Sequence, residues 1–154
     1  MAIDRIDWHS GSDNFPKNVP EKNGGNHIGY FMEYLYKHEF LPNSPDNAVE
    51  EYERVKNGEV SGLEFLIENC DEKFWDIDTN EEGLKFTNYI YDCYLSNVEN
   101  VLGHNPYEHN YSIEDYKKIE KWLDQQFSIW LNDDKPIVKN DDTKKGFWRR
   151  FFKK

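Results

Sequence analysis

Residues 8–36 read WHSGSDNFPKNVPEKNGGNHIGYFMEYLY, and a change of character inside this stretch decides the fold. Its first half mixes an aromatic, a histidine and glycine with Pro16 and Pro20, which break any helix. Residues 1–25 are therefore expected to be irregular, with room for a short strand near Ala2–Ile6. Past Gly24-Gly25 the pattern turns helical. Asn26 offers an N-cap oxygen, and Ile28, Phe31, Met32 and Leu35 recur at the i, i+3, i+4, i+7 spacing of one buried face. The spacing predicts a helix to about Phe40, with Glu33 and Lys37 paired four apart on its outer side.

The rest of the chain reads as further amphipathic helices against this one. Pro42 stops the first, and Ser44-Pro45 opens the next, Ser as cap and Pro at the first helical position. Its inner face is Ala48 or Val49, Tyr52 and Val55, and Asn57-Gly58 ends it. Ser61 to Glu64 is a capping box, followed by a stripe of Leu63, Leu66, Ile67 and Cys70. Asp71–Asp78 is expected to be a connection anchored in the core by Phe74 and Trp75. A second box, Thr79 to Glu82, starts the longest helix, which runs to Leu102 and stops at Gly103. After a polar loop, Ser112 caps a last long helix with Ile113, Tyr116, Ile119, Leu123, Phe127, Trp130 and Leu131 inward. Asn132–Asp134 and Pro136 end it. Alternating strand patterns are nearly lacking and there are no internal repeats. The expectation is an all-α, single-domain bundle of about five helices over residues 1–135, with an irregular N-terminal loop region. Residues 136–154 are expected to be a linker and a flexible basic-aromatic tail.

Charge bounds the partners. The net charge is −11, but the last eleven residues, KKGFWRRFFKK, carry six cations and no acid. Without them, 13 basic face 30 acidic residues, a balance of −17 over residues 1–143. So acidic a body repels nucleic acid and anionic membrane and attracts a basic protein. The tail could touch an anionic surface, but only weakly. No apolar run nears the about 20 residues of a membrane span, and MAIDRIDWHS lacks the apolar core of a signal peptide. Cys70 and Cys93 form no CxxC or metal spacing, as expected of reduced thiols in the cytoplasm.

No catalytic constellation stands out. His9, Asp13 and His27 offer imidazoles and a carboxylate for acid–base or metal-dependent hydrolysis, with Ser10 or Ser12 as conceivable nucleophiles. There is no GxSxG elbow, Walker loop or GxGxxG to support it. The more economical role for Trp8, His9 and His27 is to hydrogen-bond the loop onto the first helix. Asp76, Asp78 and Asn80 resemble the opening of a calcium loop, but Glu81 and Thr87 stand where Gly and Glu are required. His104, Glu108 and His109 fall short of a zinc ligand set. No cofactor or metal is therefore expected. The remaining signal is acid around an aromatic pair: Asp71, Glu72, Asp76, Asp78, Glu81 and Glu82 about Phe74 and Trp75, a candidate hot spot for a basic partner.

Four motifs carry a resemblance: Trp8-His9-Ser10-Gly11, Asn26-His27-Ile28-Gly29, Cys70-Asp71 with Trp75, and Glu82-Gly83-Leu84-Lys85-Phe86. Across about residues 5–130 the chain resembles a family of small, uncharacterised bacterial proteins. Its members are similar in size and acidity to immunity proteins that neutralise secreted toxins. The resemblance implies a cytoplasmic toxin inhibitor that works by contact, with an enzyme on His9, Asp13 and His27 as the alternative.

Overall fold

Every residue from Asn26 to Tyr36 is buried in the computed structural model, which describes residues 1–43 and 48–133. The elements run β1 (Ala2–Arg5), α1 (Ile6–Ser10), α2 (Asn26–Lys37), α3 (Ala48–Lys56), α4 (Gly62–Asn69), β2 (Lys73–Trp75), α5 (Glu81–Leu102) and α6 (Ile113–Asn132). Short 3₁₀ turns at Glu21–Gly25 and Asp76–Asp78 precede α2 and α5. The fold is all-α apart from a two-stranded ribbon, as expected. α2 is its axle, with α3, α4, α5 and α6 all packed against it.

The periodicity of α2 implied one buried face and an outer side, and the outer side does not exist. Glu33 lies inside, 5% exposed. Its Oε1 accepts from the Gly62 amide at 2.8 Å and the Tyr111 hydroxyl at 2.9 Å, and its Oε2 from Lys37 Nζ at 2.9 Å. Tyrosines make the wrapping possible, because a ring fills space while its hydroxyl finds a partner. Tyr34 donates to Asp124 and Tyr36 to the Asp78 carbonyl, while the Tyr30 hydroxyl accepts from the Ser112 amide.

Helix ends follow local chemistry, with shifts. α2 stops at Lys37, short of Phe40, because Glu39 turns left-handed at φ 69°. The Phe40 amide then bonds the Leu35 carbonyl at 2.9 Å, a Schellman closure with Glu in the glycine position. Gly58 (φ 78°) closes α3 the same way through Glu59 N and Arg54 O. The cap of α5 is Asn80, whose side chain accepts from Gly83 N at 2.8 Å, rather than Thr79. The Thr79 hydroxyl is drawn away to the Phe40 carbonyl. Ser61 and Ser112 cap α4 and α6 as expected. The expected Ser44 cap and the tail lie outside the described residues.

The short strand expected near Ala2–Ile6 is β1, but α1 follows it in a stretch read as irregular, and the connection after α4 holds a strand, β2, where a loop was expected. β1 pairs antiparallel with β2, Asp4 opposite Phe74 and Arg5 opposite Lys73. Phe74 is fully buried between Phe31 and Tyr91, whereas Trp75 stays part-exposed. Ile113 and Leu131, read as inward, are 72% and 44% exposed, and Val49, read as the alternative to Ala48 on the inner face of α3, is 45% exposed. The first opens its helix, where too few neighbouring turns exist to cover it. No helix among the described residues is long and apolar enough to cross a membrane.

Candidate functional site

Asp4 is a buried carboxylate shared by two histidines. The ribbon fixes it, because its register opposite Phe74 turns the side chain inward, leaving Asp4 2% exposed. Its Oδ1 lies 2.7 Å from His9 Nε2, and its Oδ2 lies 3.0 Å from His27 Nε2. The Tyr91 hydroxyl donates to Oδ2 at 2.7 Å. The two imidazoles meet edge to face, with ring centroids 4.3 Å apart. His9 comes from α1 and His27 from the first turn of α2, held in place as Tyr94 donates to its carbonyl at 2.6 Å.

The loop after α5 closes the cluster. The Asn23 side chain donates to the Tyr107 carbonyl, and Asn26 donates to the carbonyls of Pro106 and His109. Asn26 therefore ties down this loop rather than capping α2, whose N-cap is Gly25. The loop sets the Tyr107 hydroxyl 3.0 Å from His9 Nδ1. Both nitrogens of His9 are thus engaged. His27 Nδ1 is buried and has no hydrogen-bond partner among the described residues.

The electrostatics are those of a retained buried anion. Burial acts to raise the Asp4 carboxyl, but the hydrogen bonds and charges of His27 and His9 outweigh it and hold it well below the usual carboxylate range. Burial lowers the His27 imidazole, and Asp4 only partly offsets this. Burial, with the Asp4 charge adding to it, also raises the hydroxyls of Tyr91 and Tyr107. They therefore act as neutral hydrogen-bonding groups.

His9 and His27 do come together, but Asp13 does not join them. It is exposed beyond α1, and Asp4 takes the place assigned to it. Ser12 Oγ instead accepts from the Asn14 amide. With Asp4 and Tyr107 at the two nitrogens of His9, a serine–histidine relay gets no support. Trp8 does not anchor the loop: it is 55% exposed under the Arg5 guanidinium.

The acidic set divides. Asp71 and Glu72 sit exposed in a left-handed turn, φ 52° and 60°, and Glu81 and Glu82 are exposed at the start of α5. Asp76 bonds the N-terminal ammonium at 2.9 Å. Asp78 points inward and accepts from the Trp75 amide at 2.7 Å. Burial pushes its carboxyl up to about 6. With Asp76 on the N-terminal ammonium and Asp78 and Asn80 each accepting from a different backbone amide, the three oxygens of the calcium-loop reading are committed elsewhere. His104 pairs with Asp115 at 3.0 Å and touches the ring of exposed His109, while Glu108 is exposed. Sequence reasoning missed Asp4, Tyr91 and Tyr107. The one local signal was a carboxylate set between Ile3 and Ile6 in a strand-like segment.

A family model described as a domain of unknown function (DUF7832) matches residues 2–128, which include the whole cluster and stop short of the basic tail. No curated protein and no solved structure matches the chain.

Proposed function

We propose that this chain, which belongs to the DUF7832 family, is a protein-binding module, most concretely a cytoplasmic immunity protein that blocks a toxin through contact with its basic surface. The observation that carries this reading is an exposed apolar pair set in acid at the end of the ribbon. Met1 and Ile77 are 82% and 76% exposed; Asp76 bonds the Met1 ammonium and is followed in sequence by Ile77, and Trp75 before it is part-exposed. Asp71, Glu72, Glu81 and Glu82 are exposed along the same connection. An apolar centre with a charged rim is the anatomy of a binding patch. Asp71 and Glu81 hold Lys73 and Lys85 in exposed pairs. Such surface pairs are worth little and exchange readily for a partner's cations. Buried Phe74 and inward Asp78 support the patch from below and offer it no contact atoms.

The test is to co-express the full chain with the toxin domain encoded beside its gene. The expected result is restored growth and a stoichiometric complex. Ile77→Lys, at an exposed site, should keep the fold and weaken the complex at least about tenfold, the loss of one modest contact. Neither protection nor a complex with the wild-type chain would overturn the reading.

A further inference from the structure

We propose that Asp4, His9 and His27 form a binding site for one divalent transition-metal ion of the zinc class. Two imidazoles and a carboxylate are a zinc donor set. One ligand atom from each residue lies within 4.8 Å of the other two. His9 Nε2 lies 2.7 Å from one Asp4 oxygen and His27 Nε2 lies 3.0 Å from the other, both close to the edge of about 3.3 Å that tetrahedral zinc bonds imply. Small side-chain movements would therefore admit the ion in place of the two hydrogen bonds. The donors come from three elements, β1, α1 and α2, so helix capping does not account for their meeting.

The surroundings are those that orient ligands. Tyr91 holds one Asp4 oxygen, and Tyr107 stands at the Nδ1 of His9, the nitrogen that donates outward when Nε2 ligates. The carboxylate is buried beside the fully buried His27 imidazole. With Nε2 of His27 on the ion, its Nδ1, which lacks a partner among the described residues, goes without the outer hydrogen bond that Tyr107 offers His9. The His9 side chain, 21% exposed, gives the ion its way in, whereas Asp4 and His27 are shut off at 3% and 1%. Three protein ligands leave a fourth position for water, the count of an open rather than a closed zinc site.

The test is calorimetric titration of the full-length, chelator-treated protein with zinc chloride. One equivalent is expected to bind. His9→Ala should lose more than the about 10–100-fold in affinity that an outer-shell partner costs. His104→Ala should bind as the wild type does. Absence of binding to the wild type, or equal affinity in His9→Ala, overturns the site. If His9→Ala fails to fold, the imidazole resonances of the wild-type protein decide. Zinc must shift those of His9 and His27 and leave those of His104 and His109, and the reverse pattern overturns the proposal.

Discussion

Gly29 and Gly62 bring α2 and α4 together backbone to backbone. A Cβ on Gly62 would collide with the Gly29 carbonyl, and one on Gly29 would stand 2.6 Å from the Leu63 amide nitrogen. The close approach places the Gly62 amide against Glu33, so a buried carboxylate occupies the start of α4 where the dipole favours an anion. One relationship thus explains both an interior glutamate and the absence of an outer face on α2.

Gly62→Ala should therefore destabilise the protein by about 3 kcal/mol, because backbone cannot yield as a side chain would. At this chain length that is a fall in Tm of roughly 6–12 °C, read by circular dichroism. Gly103→Ala is the contrast. It meets nothing within 4 Å and carries only the strain of φ 83°, about 1 kcal/mol. Equal losses in the two variants would refute the close-contact account.

Cysteine accessibility follows from burial. Cys70 is buried, and burial raises its thiol far above the ordinary value, with the Asp78 charge adding to this. Cys93 is half-buried and is raised by burial against a lowering hydrogen bond from Asn97. Since the thiolate is the reactive form, native protein should be labelled by a disulfide reagent at Cys93 well before Cys70. Mass spectrometry of the singly labelled species checks this, and first labelling at Cys70 contradicts the packing of α4.

Helix boundaries were legible where they depend on neighbours in sequence. Ser61, Ser112, Gly58 and Gly103 act within their own turn, so local chemistry fixes them. Thr79 misled by one residue because its hydroxyl is claimed by Phe40, 39 positions away. The burial of α2 was not legible, since periodicity identifies a face but does not say how many neighbours will cover the others. Likewise His9 and His27 are visible as candidates, whereas Asp4 joins them through a ribbon whose strands lie about 70 residues apart. Tyr107 is aimed at His9 only because Asn23 and Asn26 hold its loop. Such choices belong to the tertiary fold.

Asp78 should give a pH dependence of unusual sign. Its folded carboxyl titrates at about 6 against 3.8 when unperturbed. Its contribution is most favourable below 3.8, where both states are protonated, and is lost as pH rises through about 6. Asp78→Asn keeps an oxygen for the Trp75 amide and cannot ionise. The variant's advantage over wild type should grow from near zero in acid to about 3 kcal/mol at neutral pH, the worth of a shift of about two pKa units. Urea midpoints across the acid range measure it, and a gap independent of pH would show that Asp78 is solvated in the folded state.

The Asp4 cluster should titrate in the opposite direction in metal-free protein. Asp4 is depressed below its ordinary 3.8, so its stabilisation is complete above that value and fades as pH falls towards the folded one. His27 is depressed below 6.5, so the fold favours its neutral form and loses stability as acid protonates it. Both terms weaken the protein on acidification, first through His27 and then through Asp4. Asp4→Asn removes the charge that strengthens the hydrogen bonds from His9, His27 and Tyr91 and should cost about 3–5 kcal/mol at neutral pH, a bond to a charged group being worth about 1.5–3 kcal/mol. Tyr91→Phe removes one donor to the carboxylate and should cost about 1.5–3 kcal/mol. The deficit of Asp4→Asn should shrink once pH drops below 3.8, because the wild-type carboxylate is then giving up its own advantage. Chemical denaturation in the presence of a chelator gives the comparison. A deficit that stays constant through the acid range would mean that the two histidines do not hold Asp4 as an anion.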